Sequence, residues 1–136
     1  MAQEVMKHAD QELIDMATAV RENAYAPFSD FRVGAALETD DGDMIDGCNV
    51  ESASYGLTVC AERVAIWKAL SEGVRKFRAV AVVTGADAPT PPCGACRQLI
   101  WEFCGDVPVI LASLKGKTEV LRMRELFPKP FDSSNL

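Results

Sequence analysis

The chain has 136 residues, 49% of them hydrophobic and 25% charged, enough for one domain with a buried core and too few for two. Acidic side chains outnumber basic ones 20 to 14, a formal net charge of −6, which argues against a nucleic-acid partner because phosphate neutralisation needs a basic surface. No apolar run approaches the ~20 residues of a bilayer span, and the first ten residues, MAQEVMKHAD, lack the basic start and apolar stretch of a leader. The expectation is a cytoplasmic protein of one domain, residues 1–136, with a small-molecule ligand and neither membrane nor nucleic acid as partner. Five cysteines in a reducing compartment make a poor disulfide framework, so clustered ones point to metal binding or catalysis.

In chain order, residues 10–24 read as an amphipathic helix, with Asp10 as N-cap and Leu13, Ala17, Val20 and Ala24 at helical spacing. His8, the only histidine, falls before it, on a frayed and solvated segment. Pro27 interrupts the pattern. Phe31, Val33, Ala35 and Leu37 alternate with Arg32, Gly34, Ala36 and Glu38 as in a strand, and Asp41-Gly42 turns the chain into a second strand over 44–48. Asp40, Asp41 and Asp43 then read as a solvated turn. A second helix is predicted over 59–72, capped by Thr58 and stopped by Gly73. The apolar run 79–83 reads as a strand buried on both faces. A third helix follows from Gly94 to before Gly105, then strands over 107–112 and 118–121 and a short helix near 122–126. Alternating strands and helices predict a partly parallel sheet with helices packed on its faces.

Two segments carry chemistry. Cys60-Ala61-Glu62-Arg63 opens the second helix and Pro92-Cys93-Gly94-Ala95-Cys96-Arg97 opens the third. Helix N-termini favour thiolate, and Cys93-x-x-Cys96 can offer two sulfurs to one metal from a single turn. Cys60 completes three protein ligands if the two helices lie side by side, an arrangement that leaves zinc an open fourth position, as catalytic sites do. Glu62 does not share a helix face with Cys60. It leans back toward the helix start, where a general acid/base can reach a zinc-activated water. Three thiolates leave the centre negative, and Arg63, ahead of Arg97, is placed to offset that charge. Taken alone, Cys93-x-x-Cys96 also suits a redox pair, and Cys48 or Cys104 could add a fourth sulfur to a structural zinc site, although both are ordinary core cysteines on composition. Trp67 and Trp101 read as core or interface residues.

Cys-x-Glu followed by Pro-Cys-x-x-Cys resembles the signature of zinc nucleobase and nucleoside deaminases in its three-cysteine form. Ala24-Tyr25-Ala26-Pro27-Phe28-Ser29, Val33-Gly34-Ala35-Ala36-Leu37, Gly47-Cys48-Asn49-Val50-Glu51, Gln98 and Glu125-Leu126-Phe127-Pro128 extend the likeness, over residues 10–131, to the small homotetrameric cytidine deaminases. The resemblance implies a three-layer α/β/α sandwich around a mixed sheet of about five strands, a resident Zn2+, and hydrolysis of cytidine or 2′-deoxycytidine to the uridine and ammonia, in pyrimidine salvage. It implies water attack at C4 of the base, with Glu62 carrying the proton to N3 and then toward the leaving amine. It assigns Cys60, Cys93 and Cys96 to the metal, Phe31 to stacking on the base, Asn49 and Glu51 to the ribose hydroxyls, and the Ala61 backbone to the pyrimidine. Tyr55 and Phe131 would complete a neighbouring subunit's pocket in the homotetramer. Phe28 stands where many relatives have Tyr, and Arg32 where Pro is common. Alternatives are a deaminase of a related compound, such as blasticidin S or an N4-substituted cytidine, and a non-catalytic structural zinc module. Asn49-Val50-Glu51 with Tyr25-Ala26-Pro27 favours the simple nucleoside.

Overall fold

The computed structural model describes residues 6–136, so the expected absence of a leader falls partly on residues outside the described ones. The first helix, α1, is His8–Arg21, shifted from the expected 10–24. Asp10 is not its N-cap. Lys7 holds that place in extended backbone, and Asp10, three residues on, accepts the Lys7 backbone N–H at 2.7 Å, which satisfies a donor the helix start would otherwise leave open. His8 is in the helix rather than before it, solvated and 3.2 Å from Glu12 one turn on. The helix stops at Arg21 for two reasons. The N–H groups of Asn23 and Ala24 tighten onto the carbonyls of Val20 and Arg21. Beyond them Tyr25 is drawn into a bridge with residues 49–51, donating to the Asn49 carbonyl at 3.0 Å and accepting from Glu51 N–H at 2.8 Å.

Strands β1 (Val33–Thr39) and β2 (Met44–Cys48) form the expected antiparallel hairpin, with Ala35 opposite Gly47 and Leu37 opposite Ile45. Gly42 takes a φ of 88° in its turn, a conformation glycine adopts without steric cost. Phe31 lies outside the strand, on the loop that leads into it. Helix α2 is Ala61–Ser71, capped by Cys60 and not by Thr58. The bridge from Val59 to Val50, with N–H···O distances of 2.9 and 3.0 Å in the two directions, keeps the chain extended two residues longer. Next come β3 (Phe77–Thr84), α3 (Gly94–Cys104), β4 (Pro108–Ser113), β5 (Thr118–Arg122) and a four-residue helix α4 (Met123–Leu126).

The five strands make one sheet in the order β2-β1-β3-β4-β5, parallel between β3 and β4 and antiparallel elsewhere. Period-two alternation sends neighbouring residues to opposite cores. Leu13, Ile14 and Ala17 of α1 pack with Ala36, Ala79, Ala81, Val83 and Ile110. On the other face Ala65, Ile66 and Ala69 of α2 and Ile100 of α3 pack with Ala35, Leu37, Val80, Val82 and Val109. This is the expected three-layer α/β/α sandwich. It also shows that β1 is buried on both faces, so Ala36 is a core residue as Ala35 and Leu37 are. Two glycines bring the layers together: a Cβ on Gly34 would overlap the Ala17 carbonyl of α1, and one on Gly47 would meet the first turns of α2.

Candidate active site

Cys60 and Cys93 are both N-cap residues, in extended backbone (φ −70°, ψ 155° and φ −66°, ψ 170°) while their carbonyls accept the first helical N–H bonds, from Val64 at 3.0 Å and Arg97 at 2.9 Å. Cys96 lies one turn into α3, fully buried. Because α2 and α3 pack side by side on one face of the sheet, the three sulfurs converge within 4.8 Å of one another. Sulfurs bound tetrahedrally to one zinc at ~2.3 Å sit about 3.8 Å apart, so these residues fit the ion. Cys48 and Cys104 are not in the cluster. Among the described residues no other three metal-ligating side chains come together in this way. Burial pushes the thiol of Cys104, which packs against the core, up to about 12 and raises that of the half-buried Cys48 as well, and raised thiols are poorly reactive.

The clustered thiols divide a proton between them. A hydrogen bond from Cys96 pulls Cys60 below the usual thiol range, helped by the Arg63 guanidinium and opposed by burial. Cys96, which keeps that proton and is buried, is raised. Arg63 donates Nη2–H to the Thr58 carbonyl at 2.8 Å and lies 5.5 Å over the Trp67 ring. Its Nε is buried with no hydrogen-bond partner among the described residues. Arg97 is turned elsewhere, to the carbonyls of Pro92 at 2.8 Å and Leu126 at 2.7 Å, where it ties the start of α3 to the end of α4.

Glu62 is 4% exposed. Burial pushes its carboxyl up from 4.5 to about 7, with the Cys60 charge acting in the same direction. It lines a cleft of about 310 Å3 together with Cys60, Ala61 and Cys93, a volume suited to a small molecule. The cleft opens at the carboxyl end of β3, where Val82 and Thr84 lie, and between the starts of α2 and α3. Phe31, Asn49 and Glu51 line it too.

The last two are already partly engaged by the chain. Asn49 accepts Val33 N–H through Oδ1 at 2.9 Å and donates Nδ2–H to the Phe31 carbonyl at 2.8 Å. Glu51 Oε1 accepts the N–H groups of Phe28 at 2.9 Å and Ser29 at 3.1 Å, and Oε2 accepts the Ser29 hydroxyl. The Ser29 hydroxyl bond and these backbone bonds hold the Glu51 carboxyl below the usual carboxylate range. A carboxylate offers about four acceptor positions, so one is left on Glu51, and Asn49 has one N–H to spare.

Tyr55 and Phe131 lie outside the cleft. Tyr55 is 75% exposed on a short 3-10 turn, edge-to-face with Phe28 in an adjoining depression. Phe131 is half exposed beside α3, its carbonyl accepting Gln98 Nε2–H at 2.8 Å. Ser29, Thr84, Thr90 and Pro91, which the sequence gives no role, also line the cleft, as does Thr58, expected only as a helix cap. Thr84 ends the buried strand and Thr90 meets it at 3.1 Å through their hydroxyls. A polar residue ending an otherwise apolar run was the only hint of this.

Residues 7–112 match the model of the cytidine and deoxycytidylate deaminase zinc-binding region. A cytidine deaminase from Halalkalibacterium halodurans is 50% identical over 127 residues, covering 93% of this chain and 96% of that protein. The crystal structure of cytidine deaminase from Burkholderia pseudomallei superposes with a TM-score of 0.87 at 48% identity, covering 93% of this chain and all of that one. A blasticidin-S deaminase from Bacillus cereus is more distant, 32% identical over 127 residues, with 88% of this chain and 89% of that protein covered. The chain belongs to the cytidine and deoxycytidylate deaminase zinc-binding family, and Zn2+ is the cofactor that its family and its sulfur cluster share.

Proposed function

We propose that the protein hydrolyses the C4 amino group of cytidine and 2′-deoxycytidine, releasing ammonia and leaving uridine and 2′-deoxyuridine. The observation that carries this reading is Glu62, a carboxyl buried in a small cleft beside three convergent sulfurs. Zinc held by Cys60, Cys93 and Cys96 supplies Lewis acidity that brings the pKa of water toward neutrality. A buried carboxyl within reach of the reacting atoms can accept a proton and return it. Glu62 takes one proton of the attacking water and delivers it to N3 of the base, then carries the second, from the new C4 hydroxyl, to the amino group as the C4–N bond breaks, leaving a C4 carbonyl and ammonia. Arg63 offsets the negative charge of the thiolates. Phe31 stacks on the base, and the Ala61 backbone meets the pyrimidine edge.

The spare N–H of Asn49 and the spare acceptor position of Glu51 suit a single sugar hydroxyl, which accepts from one and donates to the other. Cytidine and 2′-deoxycytidine share a 3′-hydroxyl, so both fit. The identity near 50% to a cytidine deaminase, against 32% to a blasticidin-S deaminase, supports the simple nucleoside. The net charge of −6 disfavours a polynucleotide.

The active form is a homotetramer in this reading. Tyr55, Leu57, Phe28 and Phe131 are large apolar residues, each at least half exposed, the kind of surface that subunit contact covers. Tyr55 and Phe131 then complete neighbouring clefts. The chain acts as one domain over residues 1–136, in pyrimidine salvage. Its thiolate cluster favours a reducing, cytoplasmic setting. No helix among the described residues is long and apolar enough to cross a membrane.

The test is ultraviolet-monitored conversion of cytidine by zinc-loaded protein, paired with Glu62→Gln. The expected result is loss of the cytidine absorbance, abolished in the variant. A zinc-replete protein that leaves cytidine and 2′-deoxycytidine untouched while deaminating another cytosine compound would overturn the substrate assignment.

A further inference from the structure

The loop that carries Phe31 to the mouth of the cleft has an unusual hub. Asp30 adopts a φ of 56°, the one non-glycine residue in the left-handed region among those described. That conformation is disfavoured for residues with a Cβ and needs neighbours to hold it. The turn directs the Phe31 N–H back to the Ser29 hydroxyl, at 3.0 Å. The same hydroxyl donates to Glu51 Oε2, while the Ser29 N–H donates to Oε1 at 3.1 Å. A serine hydroxyl is one donor and two acceptors, and here its donor goes to Glu51 and one acceptor to Phe31. One oxygen atom therefore joins the residue placed on the base to the residue placed on the sugar. Ser29 itself lines the cleft.

We propose that Ser29 is a positioning residue that sets substrate affinity by orienting Glu51 and Phe31 together. The proposal rests on the cytidine reading of the cleft and deepens it. By occupying one acceptor position of Oε2, Ser29 leaves Glu51 a single direction in which to receive a ligand hydroxyl. Without the Ser29 hydroxyl the carboxylate gains a second free position, which water fills, and only the Phe28 and Ser29 N–H groups on Oε1 still hold it. The Phe31 N–H loses its partner at the same time, and the left-handed turn before it loses a support. Neither effect touches Glu62 or the sulfur cluster, so the chemical step is spared. Alanine at this position removes the hydroxyl, whereas threonine keeps it.

The experiment combines two measurements. Steady-state kinetics on the zinc-loaded enzyme compare wild type, Ser29→Ala and Ser29→Thr. Calorimetric binding in the Glu62→Gln background compares cytidine with 2′,3′-dideoxycytidine, which lacks the 2′- and 3′-hydroxyls. Loss of one hydrogen bond to a charged group is expected to raise KM for cytidine about tenfold in Ser29→Ala, with kcat within about twofold, and Ser29→Thr restores KM. The affinity loss is expected to be clearly larger for cytidine than for the dideoxy compound, because coupled groups are non-additive. An unchanged KM, a fall in kcat alone, or an equal loss for both ligands would overturn the proposal. A wild type that binds cytidine without converting it overturns the functional reading and leaves the binding comparison to decide the role of Ser29. Failure to bind cytidine at all overturns both.

Discussion

Gly47 and Ala65 touch backbone to backbone: a Cβ on Gly47 would lie 2.5 Å from the Ala65 nitrogen and 2.9 Å from the Ala61 carbonyl oxygen. Strand β2 and helix α2 meet there with no side chain between them. The contact sets the height of the first turns of α2 above the sheet, and Cys60 and Glu62 stand at that end of the helix.

Gly47→Ala is therefore expected to lift α2 or to distort β2. Inserting one methyl into so close a contact costs roughly 1–3 kcal/mol, which chemical denaturation would read directly. Zinc affinity should fall as well, since Cys60 moves relative to Cys93 and Cys96. A variant with wild-type stability and full zinc content would show that the helix absorbs the methyl without moving the site.

Removing individual cysteines should divide them into two groups. Cys60→Ala, Cys93→Ala and Cys96→Ala each take one sulfur from the convergent set and should lose stoichiometric zinc and turnover. Cys104→Ala should keep both, because its thiol is buried apart from the cluster with its value pushed up to about 12. Metal analysis after gel filtration separates the groups. A strong chelator should silence the wild type, and added zinc should restore it. Zinc loss in Cys104→Ala with unaltered secondary structure would mean that a fourth sulfur takes part.

Much of this was legible in the sequence. The elements and the sheet followed from periodicity and turn chemistry, because each strand carries either a wholly apolar run, as in 79–83, or a glycine turn, as at Gly42. The cysteine triad and Glu62 were legible because helix starts were marked by Cys-x-Glu and Pro-Cys-x-x-Cys. The start of α2 was misread because the Val50–Val59 bridge is a contact between distant residues, which no local preference for Thr58 as a cap reports. Asp10 was misread as the cap because an acid three residues into a helix has the same local pattern. Ser29 closes the Ala24–Ser29 motif, but nothing local marks its role, since its partners, Phe31 and Glu51, are joined to it only by the folded loop. Arg97, placed behind Arg63 as a charge partner by its position beside Cys96, is claimed instead by the Leu126 carbonyl, 29 residues on.

Arg63→Ala tests the charge balance at the metal. The guanidinium helps pull Cys60 below the usual thiol range and braces the Thr58 carbonyl. Without it, the three thiolates repel one another with less compensation, and zinc competition assays should show weaker retention. Arg63→Lys should rescue only in part. Lysine restores the charge but lacks the planar fork that bonds Thr58 and stacks on Trp67 together. Unchanged zinc retention and turnover in Arg63→Ala would remove the role.

The last expectation concerns Glu62 without metal. Its carboxyl is raised from 4.5 to about 7 in the folded protein, chiefly by burial. The folded state thus holds this proton more tightly than the unfolded chain does. The stability that results is complete below pH about 4.5 and is lost as pH rises through about 7. Above that, the zinc-free protein keeps an ionised carboxylate in a buried place, at a cost of about 3 kcal/mol relative to acid conditions. Glu62→Gln keeps the shape and cannot ionise. Denaturation of chelator-treated protein across pH 5 to 8 should find the variant gaining on the wild type through this window and holding a constant advantage beyond it. The same substitution should lower turnover of the zinc-loaded enzyme by ~100-fold or more. A wild type and variant whose stabilities run parallel from pH 5 to 8 would mean that Glu62 is ionised at no cost. The carboxylate would then be a weaker base toward the attacking water than a group near 7.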